Sequence, residues 1–480
     1  MPDLSKRHRY LVLVICCLSL VLVSMDNNIV NVALPSLQTV FGAPISGLQW
    51  IVDSYTLVLA SLLMLSGSTA DRLGRKRIFL IGIVVFGLGS LLCSAAPSLE
   101  WLIVFRMMQA IGGSMLNPVA MSIITNTFTD VRERAGAIGV WGAVIGIGLA
   151  GGPIIGGLLV ETAGWRSIFW INIPVCILAF ILTAVFVPES KAARRRAFDP
   201  GGQLLVIALL ASLVYGIIEG PARGWTSPEI LTCFAVSLIS LGLLLPYEKR
   251  REDPLIDVRF FRSGPFSGAI VIAVCAFGAM AGFQFLNTLY LQTVRGFSPL
   301  QAGLHLLPMA VTTVVMSPIS GRVVGRYGAR LPLLVAGIAF VTAGLMLTQL
   351  SATTSETWLM TAYVLFGVGF GLVNAPITNA AVSGMPISRA GVAAGIASTS
   401  RQVGQALGVA VIGSVVTSQL VGPLQTSFVE AARPGWWIIT GAGAGVLVLG
   451  WFTSGKWARN SAAKVTAEFT PTTPTPIAVP

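Results

Sequence analysis

Apolar runs of about 20 residues alternate with short polar turns along most of the chain. They fall near residues 10–33, 48–70, 78–96, 99–123, 135–160, 167–187, 202–220, 229–248, 266–293, 300–324, 331–350, 357–382, 391–419 and 435–455. Runs of this length predict about fourteen membrane-crossing helices, an all-α protein. Ten-residue alternations would instead indicate a membrane barrel, and the chain has no such pattern. The densest charge between two runs is at residues 67–77, GSTADRLGRKR, with one acid and four bases. A helix does not carry such a cluster through lipid, so a short aqueous turn is predicted there. Gly67 and Asp71 lie one helical turn apart on one face, and Arg72, Gly74 and Arg75 follow in the turn.

That turn has an echo at residues 321–330, GRVVGRYGAR, which begins 254 residues later. The echo keeps Gly321, Arg326, Gly328 and Arg330 but has Gly325 where Asp71 stands. Arg134-Ala135-Gly136 recurs as Arg389-Ala390-Gly391, 255 residues on. Gly113 with Asn117-Pro118 resembles Gly371 with Asn374 and Pro376, with the prolines 258 apart. The first six runs therefore map onto the last six, and the runs near 202–220 and 229–248 have no counterpart. The predicted organisation is a six-helix bundle at 1–187, a basic loop at 188–201 and an inserted helix pair at 202–250. A linker at 251–265, a second six-helix bundle at 266–455 and a disordered tail at 456–480 complete it. Repeated halves with a site at their interface are the signature of a transporter whose halves rock against each other.

Charge sets the orientation. Of the 31 Lys and Arg, twenty-five fall in turns on one side, and Arg166, Arg223, Arg295 and Arg433 on the other. Arg106 and Arg401 lie within runs. This bias puts both termini and the linker in the cytoplasm of a multi-pass protein of the cell's inner (plasma) membrane. It also accounts for the net charge of +12 without nucleic acid, because the bases are dispersed over many loops. Only 10% of residues are charged, against about 25% in soluble proteins, so a soluble enzyme with one anchor is excluded. The 52 glycines suit helices packed backbone to backbone. All six cysteines lie in apolar runs and read as buried reduced thiols, with no metal spacing. The N-terminal run resembles a signal peptide, but it is too long and contains Asp26, so it reads as the first span.

A few polar residues within the runs are candidates for chemistry. Asp26 lies past the middle of the first span, where a charge costs roughly 2.5–3.5 kcal/mol on insertion scales. It is either a structural partner of Arg106 or a proton acceptor that acts as access alternates. Arg106 keeps its proton, so its role is to hold or tune the carboxyl. Gln109 shares the Arg106 face, and Asn28 and Asn31 supply polar lining near Asp26. Asp53 reads as an interfacial acid or as a second acid lining the cavity. Glu219 reads as interfacial, and His305 as a hydrogen-bonded structural histidine. Arg401, with Gln402 and Gln405 beside it, demands a carboxylate, carbonyl or substrate partner, and the last six spans hold no acid to supply one. Gly148, Gly152 and Gly156 form one smooth face, and Pro153 bends the helix there. No phosphate-binding loop, catalytic triad or metal cluster is visible, so energy must come from an ion gradient and the chain reads as not an enzyme.

Several motifs together resemble the major facilitator superfamily. Residues 67–77 are similar to its loop between helices 2 and 3. Residues 106–113, RMMQAIGG, resemble its fourth-helix motif, with Ala110 at a usual glycine. Residues 148–157, GLAGGPIIGG, resemble the fifth-helix motif of exporters. Residues 25–35, MDNNIVNVALP, resemble the first helix of the fourteen-spanner drug:proton antiporters, with Asn28 at a usual threonine. Trp165, Arg166, Trp170, Asn172 and Pro174, and the Ser400-Arg401-Gln402 stretch with Gly404, also match that family. The resemblance covers residues 10–455.

It implies proton-coupled efflux of small amphipathic or lipophilic compounds, drugs and antibiotics among them, by alternating access. Asp26 and Arg106 would be the proton-coupling pair. The cavity would be lined by Asp26, Asn31, Asp53, Gln109, Arg401 and Gln405. Gly67, Asp71, Arg72, Gly74, Arg75, Gly148, Gly152, Pro153 and Gly156 would gate it, the fifth-helix glycines packing on the second bundle to seal the cytoplasmic side. Small-molecule cargo, protons and the lipid bilayer are the expected partners of a monomer, with no cofactor and no nucleic acid. The lack of an acid in the last six spans lowers the expectation of divalent-cation cargo. Asp71 is expected to meet the start of span thirteen near Arg389 and Gly391 when the cavity opens outward. A dedicated exporter of one antibiotic or metabolite is the alternative, and a transport-dead sensor or scaffold is the reading from another class.

Overall fold

The computed structural model describes residues 5–191, 199–251, 254–382 and 387–469. The described chain is helical, with no strand among the described residues. The first half contributes α1 (Lys6–Phe41), α2 (Ile45–Leu73), α3 (Arg75–Ser94), α4 (Leu99–Thr127), α5 (Val131–Ala163) and α6 (Ser167–Phe186). An inserted pair follows, α7 (Pro200–Arg223) and α8 (Pro228–Lys249). The second half is α9 (Gly264–Val294), α10 (Pro299–Tyr327), α11 (Arg330–Leu347), α12 (Glu356–Val382), α13 (Ile387–Gln419) and α14 (Leu424–Phe452).

Local chemistry sets the helix boundaries. Ser227 caps the amide of Ile230 ahead of Pro228, and Ser298 and Gln301 form a reciprocal capping box ahead of Pro299. Asp199 caps Gly202 ahead of Pro200. Gly42 closes α1 in the left-handed region, at φ 60°. α6 is interrupted at Ile171, three residues before Pro174, and α10 at Leu306, just before Pro308. The helices overrun the apolar runs at the membrane faces. α1, for example, extends from residue 6 to 41 where the run spans 10–33.

Thirteen of these helices are long and apolar enough to cross a membrane. α13 is the fourteenth, 33 residues long. Its polar residues, Arg401, Gln402 and Gln405 among them, dilute its apolar character, and it is held among α2, α7, α9 and α14 rather than turned to lipid. In the first half α1 packs on α5, α2 and α3 on α4, and α3 on α6. The same pairs recur eight labels later: α9 on α13, α10 and α11 on α12, and α11 on α14. The equivalent prolines Pro118 and Pro376 both lie inside their helices. α7 packs on both α2 and α13, so the inserted pair backs the seam between the halves.

The tail differs from expectation. Residues Lys456–Phe469 form an amphipathic helix, α15, rather than disordered chain. Ser461 accepts a hydrogen bond from the Gly264 amide (2.9 Å), and the Trp457 ring lies against Gly264. That anchorage is invisible to composition, because it uses a helical spacing of four across only 14 residues. The Pro- and Thr-rich end at 470–480 and most of the basic loop, 192–198, lie outside the described residues.

Candidate functional site

Asp26 sits in the middle of α1 and is fully buried, with Arg106 only 1% exposed. Arg106 Nη1 donates to Asp26 Oδ2 at 2.6 Å. Gln109 Nε2 and Asn172 Nδ2 donate to Asp26 Oδ1 at 2.8 and 3.0 Å. Arg106 Nη1 also donates to Gln109 Oε1 at 2.7 Å. Gln109 and Asn172 both reach Ser90 Oγ, which donates to the Phe169 carbonyl. The guanidinium stacks 4.1 Å from the Tyr55 ring centre. Five helices, α1, α2, α3, α4 and α6, thus contribute to one network centred on the Asp26–Arg106 pair. Arg106 and Gln109 come from one face of α4 at i and i+3, as their spacing predicts. Ser90, Asn172 and Tyr55 were missed as partners. Asn172 stood in a recognised motif, and Ser90 is a polar residue facing inward from an apolar helix.

This network is sealed inside the first bundle. Asp26 and Gln109 therefore do not line the cleft between the halves, as expected of them. That cleft is lined by Asn27, Asn31, Val52, Thr56, Ala281, Gln284, Gln405 and Val409. Of the expected cavity residues, Asn31 and Gln405 are there. The Asn27–Gln405 and Gln284–Asn28 hydrogen bonds cross it. The cleft is therefore constricted at this level.

Asp53 is neither interfacial nor in the cleft. It is fully buried on α2, with Thr56 Oγ1 3.3 Å from Oδ1 and no partner for Oδ2. Leu57 and Ala60, one and two turns on along its face, pack in a cluster with α7 and α13 residues. Glu219 is held by the Trp50 indole at 2.8 Å, which ties α7 to α2. His305 binds the Gln301 carbonyl at 2.7 Å, in keeping with a structural histidine. Arg401 Nη2 donates to Thr378 Oγ1 at 2.6 Å, its Cζ lies 5.7 Å from the Phe277 ring centre, and its Nε is buried without a partner.

Hydrogen bonds join the halves at the middle and outer levels. Asn27 donates to Gln405 (3.3 Å), Gln284 to Asn28 (2.6 Å), and Gln292 to the Val32 carbonyl (2.9 Å). Gln49 donates to the Val409 and Ala410 carbonyls, and Ser298 to Glu161 (2.8 Å). On the basic side Gly136, Gly139, Gly321, Gly325, Gly391 and Gly395 have no neighbour within 4 Å of where a Cβ would stand. The hydrogen bonds between the halves thus lie at the middle and outer levels, and these glycines of the basic side are unpacked.

The fifth-helix glycines do not pack as expected. Gly148, Gly152 and Gly156 lie against Ser24, Asn28 and Ile29 of α1, inside their own bundle. A different stripe meets the second half: Gly146 touches Val314, Gly157 touches Pro299 and Leu300, and the Pro153 carbonyl touches Gly303. Pro153 and Gly157 belong to the outer closure here, so the contact with the second bundle closes the outside and not the cytoplasmic side. One helix face cannot serve both neighbours, because stripes offset by one residue point about 100° apart.

At the turn, Asp71 pairs with Arg75 at 2.7 Å, and Arg75 N donates to the Ser190 carbonyl. Gly74 adopts φ 120°, and a Cβ there would run into the Glu189 carboxylate. Glu189 accepts from the Lys76 and Arg77 amides at the start of α3, a capping anion that was missed in the sequence. Gly67 faces Pro118 at ordinary contact distance, and Arg72 is half-buried at the end of α2. The expected contact of Asp71 with Arg389 lies outside the described residues, because the side chains of 387–390 are not among them.

Fourteen spanning helices in two repeated halves, a buried ion-paired network and a cleft at the interface define a membrane transporter with an alternating-access architecture. Residues 16–409 match the Major Facilitator Superfamily. The chain belongs to that family. It is 39% identical to the multidrug resistance protein Stp of Mycobacterium tuberculosis over 420 residues, 88% of this chain and 78% of that one. It is 35% identical to the tetracenomycin C resistance and export protein of Streptomyces glaucescens over 416 residues, 86% of this chain and 77% of that one. A bacterial homologue of the human lysosomal transporter Spinster, solved inward-facing and unoccupied, superposes with a TM-score of 0.63 over 98% of this chain and all of that one. At 17% identity that likeness is one of fold.

Proposed function

We propose that the protein exports small amphipathic or lipophilic compounds, antibiotics among them, across a bacterial plasma membrane in exchange for protons. It works as a monomer without a cofactor. The observation that carries this reading is the fully buried Asp26–Arg106 pair at mid-span, 2.6 Å apart. A charge pair in that position is expensive, and within membranes such residues mark ion pathways.

The adjacent residues suggest how protonation would be felt. Asn27 and Asn28 follow Asp26 directly and bind Gln405 and Gln284 of the other half. A proton on Asp26 ends its ion pair with Arg106 and loosens α1 from α4 and α6. The same helix carries the bridges that close the outer side, so the proton's arrival and the outer opening share one lever. In the state closed on the basic side, Asp71 leaves Arg75 for the start of α13.

Everted vesicles containing the purified protein test the reading. An imposed proton gradient should drive accumulation of fluorescent lipophiles, and Asp26→Asn should abolish it. Full gradient-driven accumulation by Asp26→Asn removes Asp26 from the mechanism. A susceptibility panel with and without the gene separates broad efflux from a dedicated exporter, which would protect against one compound alone.

A further inference from the structure

Arg401 is the basic side chain that the second bundle places inside the membrane, and nothing in the coupling network uses it. It projects from α13 one turn below Gln405, which lines the cleft. Its Nη2 is held by Thr378 Oγ1 at 2.6 Å, and its Nε is buried without a partner. Thr378 is exposed. After Asp257 the chain has only Glu356, Glu430 and Glu468 as acids. The first two lie in the outer parts of α12 and α14, and the third in α15. Among the described residues no carboxylate pairs with Arg401. A guanidinium at this depth, oriented by a hydroxyl yet lacking a counter-charge, is incomplete without an anion or strong acceptor. Beside it the Phe277 and Phe370 rings meet edge to face, centres 5.1 Å apart.

We propose that Arg401 is the anchor for the acidic group of the cargo, and that the protein carries aromatic amphiphiles bearing a carboxylate or an ionised phenol or enol. The anion bonds to the guanidinium, and the aromatic body lies along Phe277 and Phe370. Cationic compounds meet a like charge at this point and are disfavoured there. The proposal rests on the efflux reading for the direction of transport, but its binding claim stands apart from it.

A matched pair of fluorescent aromatic amphiphiles, 1-pyrenebutyric acid and its uncharged methyl ester, tests it. Fluorescence anisotropy on the purified protein reads binding, and everted vesicles under a proton gradient read transport. Arg401→Gln should raise the apparent Kd and KM for the acid about tenfold or more while moving those of the ester less than about twofold. Arg401→Lys should retain most of the preference for the acid. Thr378→Val, which frees the guanidinium, should weaken the acid selectively, and it carries the test should Arg401→Gln fail to fold. Wild-type protein that binds the ester but not the acid overturns the anchor, and so does Arg401→Gln altering both dyes alike or neither. Acid bound through Arg401, with neither dye moved by the gradient, keeps the anchor and removes the efflux reading.

Discussion

At the scale of single residues, the Asp26–Arg106 pair separates two consequences of mutation. Asp26→Asn keeps shape and most hydrogen bonds, so the fold should persist while proton-driven accumulation falls at least about tenfold, one RT ln 10 of driving free energy being about 1.4 kcal/mol. Arg106→Ala leaves a buried carboxylate unpaired, which costs about 3–5 kcal/mol. It should lower the unfolding temperature in detergent sharply, and adding Asp26→Asn should restore part of the loss. Thermal unfolding of the two single variants and the double variant reads that coupling. If the double variant is no more stable than Arg106→Ala, the two side chains do not act as a pair. Asp26 and Arg106 were legible in the sequence because charge inside an apolar run has no cheap explanation. Ser90, Asn172 and Tyr55 were not, since single polar residues are common in spans and only the packing brings them into one network around Asp26 and Arg106. Asp53 shows the reverse limit. Its place about two turns inside the outer end of α2 suggests water or headgroups, but α7 and α13 residues pack along that face.

At the scale of elements, α5 carries two glycine stripes with different duties. The spacing of Gly148, Gly152 and Gly156 reveals a smooth face but not the helix it meets, which in this structure is α1 and not the second bundle that the family resemblance implies. The structure yields a pair of contrasting outcomes. Gly152→Val pushes on Asn28 and Met25 inside the first bundle, so it should reduce thermal stability and expression. Gly303→Val pushes on the Pro153 carbonyl across the interface, so it should spare stability and disfavour the outer closure. A cysteine placed at Asn31 in a background stripped of native cysteines should then react with an impermeant thiol reagent from outside in Gly303→Val but not in the parent. Equal reactivity in the two would mean that this contact does not hold the outer side shut. Helix number and repeat were readable because they depend on length and offset alone. α15 was not, because its anchorage to Gly264 is a tertiary contact.

At the scale of the whole molecule, the outer bridges and the bare glycines of the basic side describe one state of an alternating cycle. Pairing Glu161→Cys with Ser298→Cys, whose native side chains touch at 2.8 Å, should tether the halves in this state. Transport should stop on oxidation and return with reductant, and transport unaffected by the oxidised link would show that the outer side need not open there. The two long seams between the halves are also unlike each other. One, between α2 and α13, is backed by α7, which reaches α2 through Gln203 on the Ser61 carbonyl and Glu219 on Trp50. The other, between α5 and α10, has no such cover among the described residues, and Val315 on its second helix is 49% exposed. A photoreactive lipid should therefore label a cysteine at Val315 and spare one at Leu57. A solute dissolved in the inner leaflet meets a walled flank on one side and a less covered one on the other, and the handedness of that asymmetry is fixed by where the two extra helices are inserted.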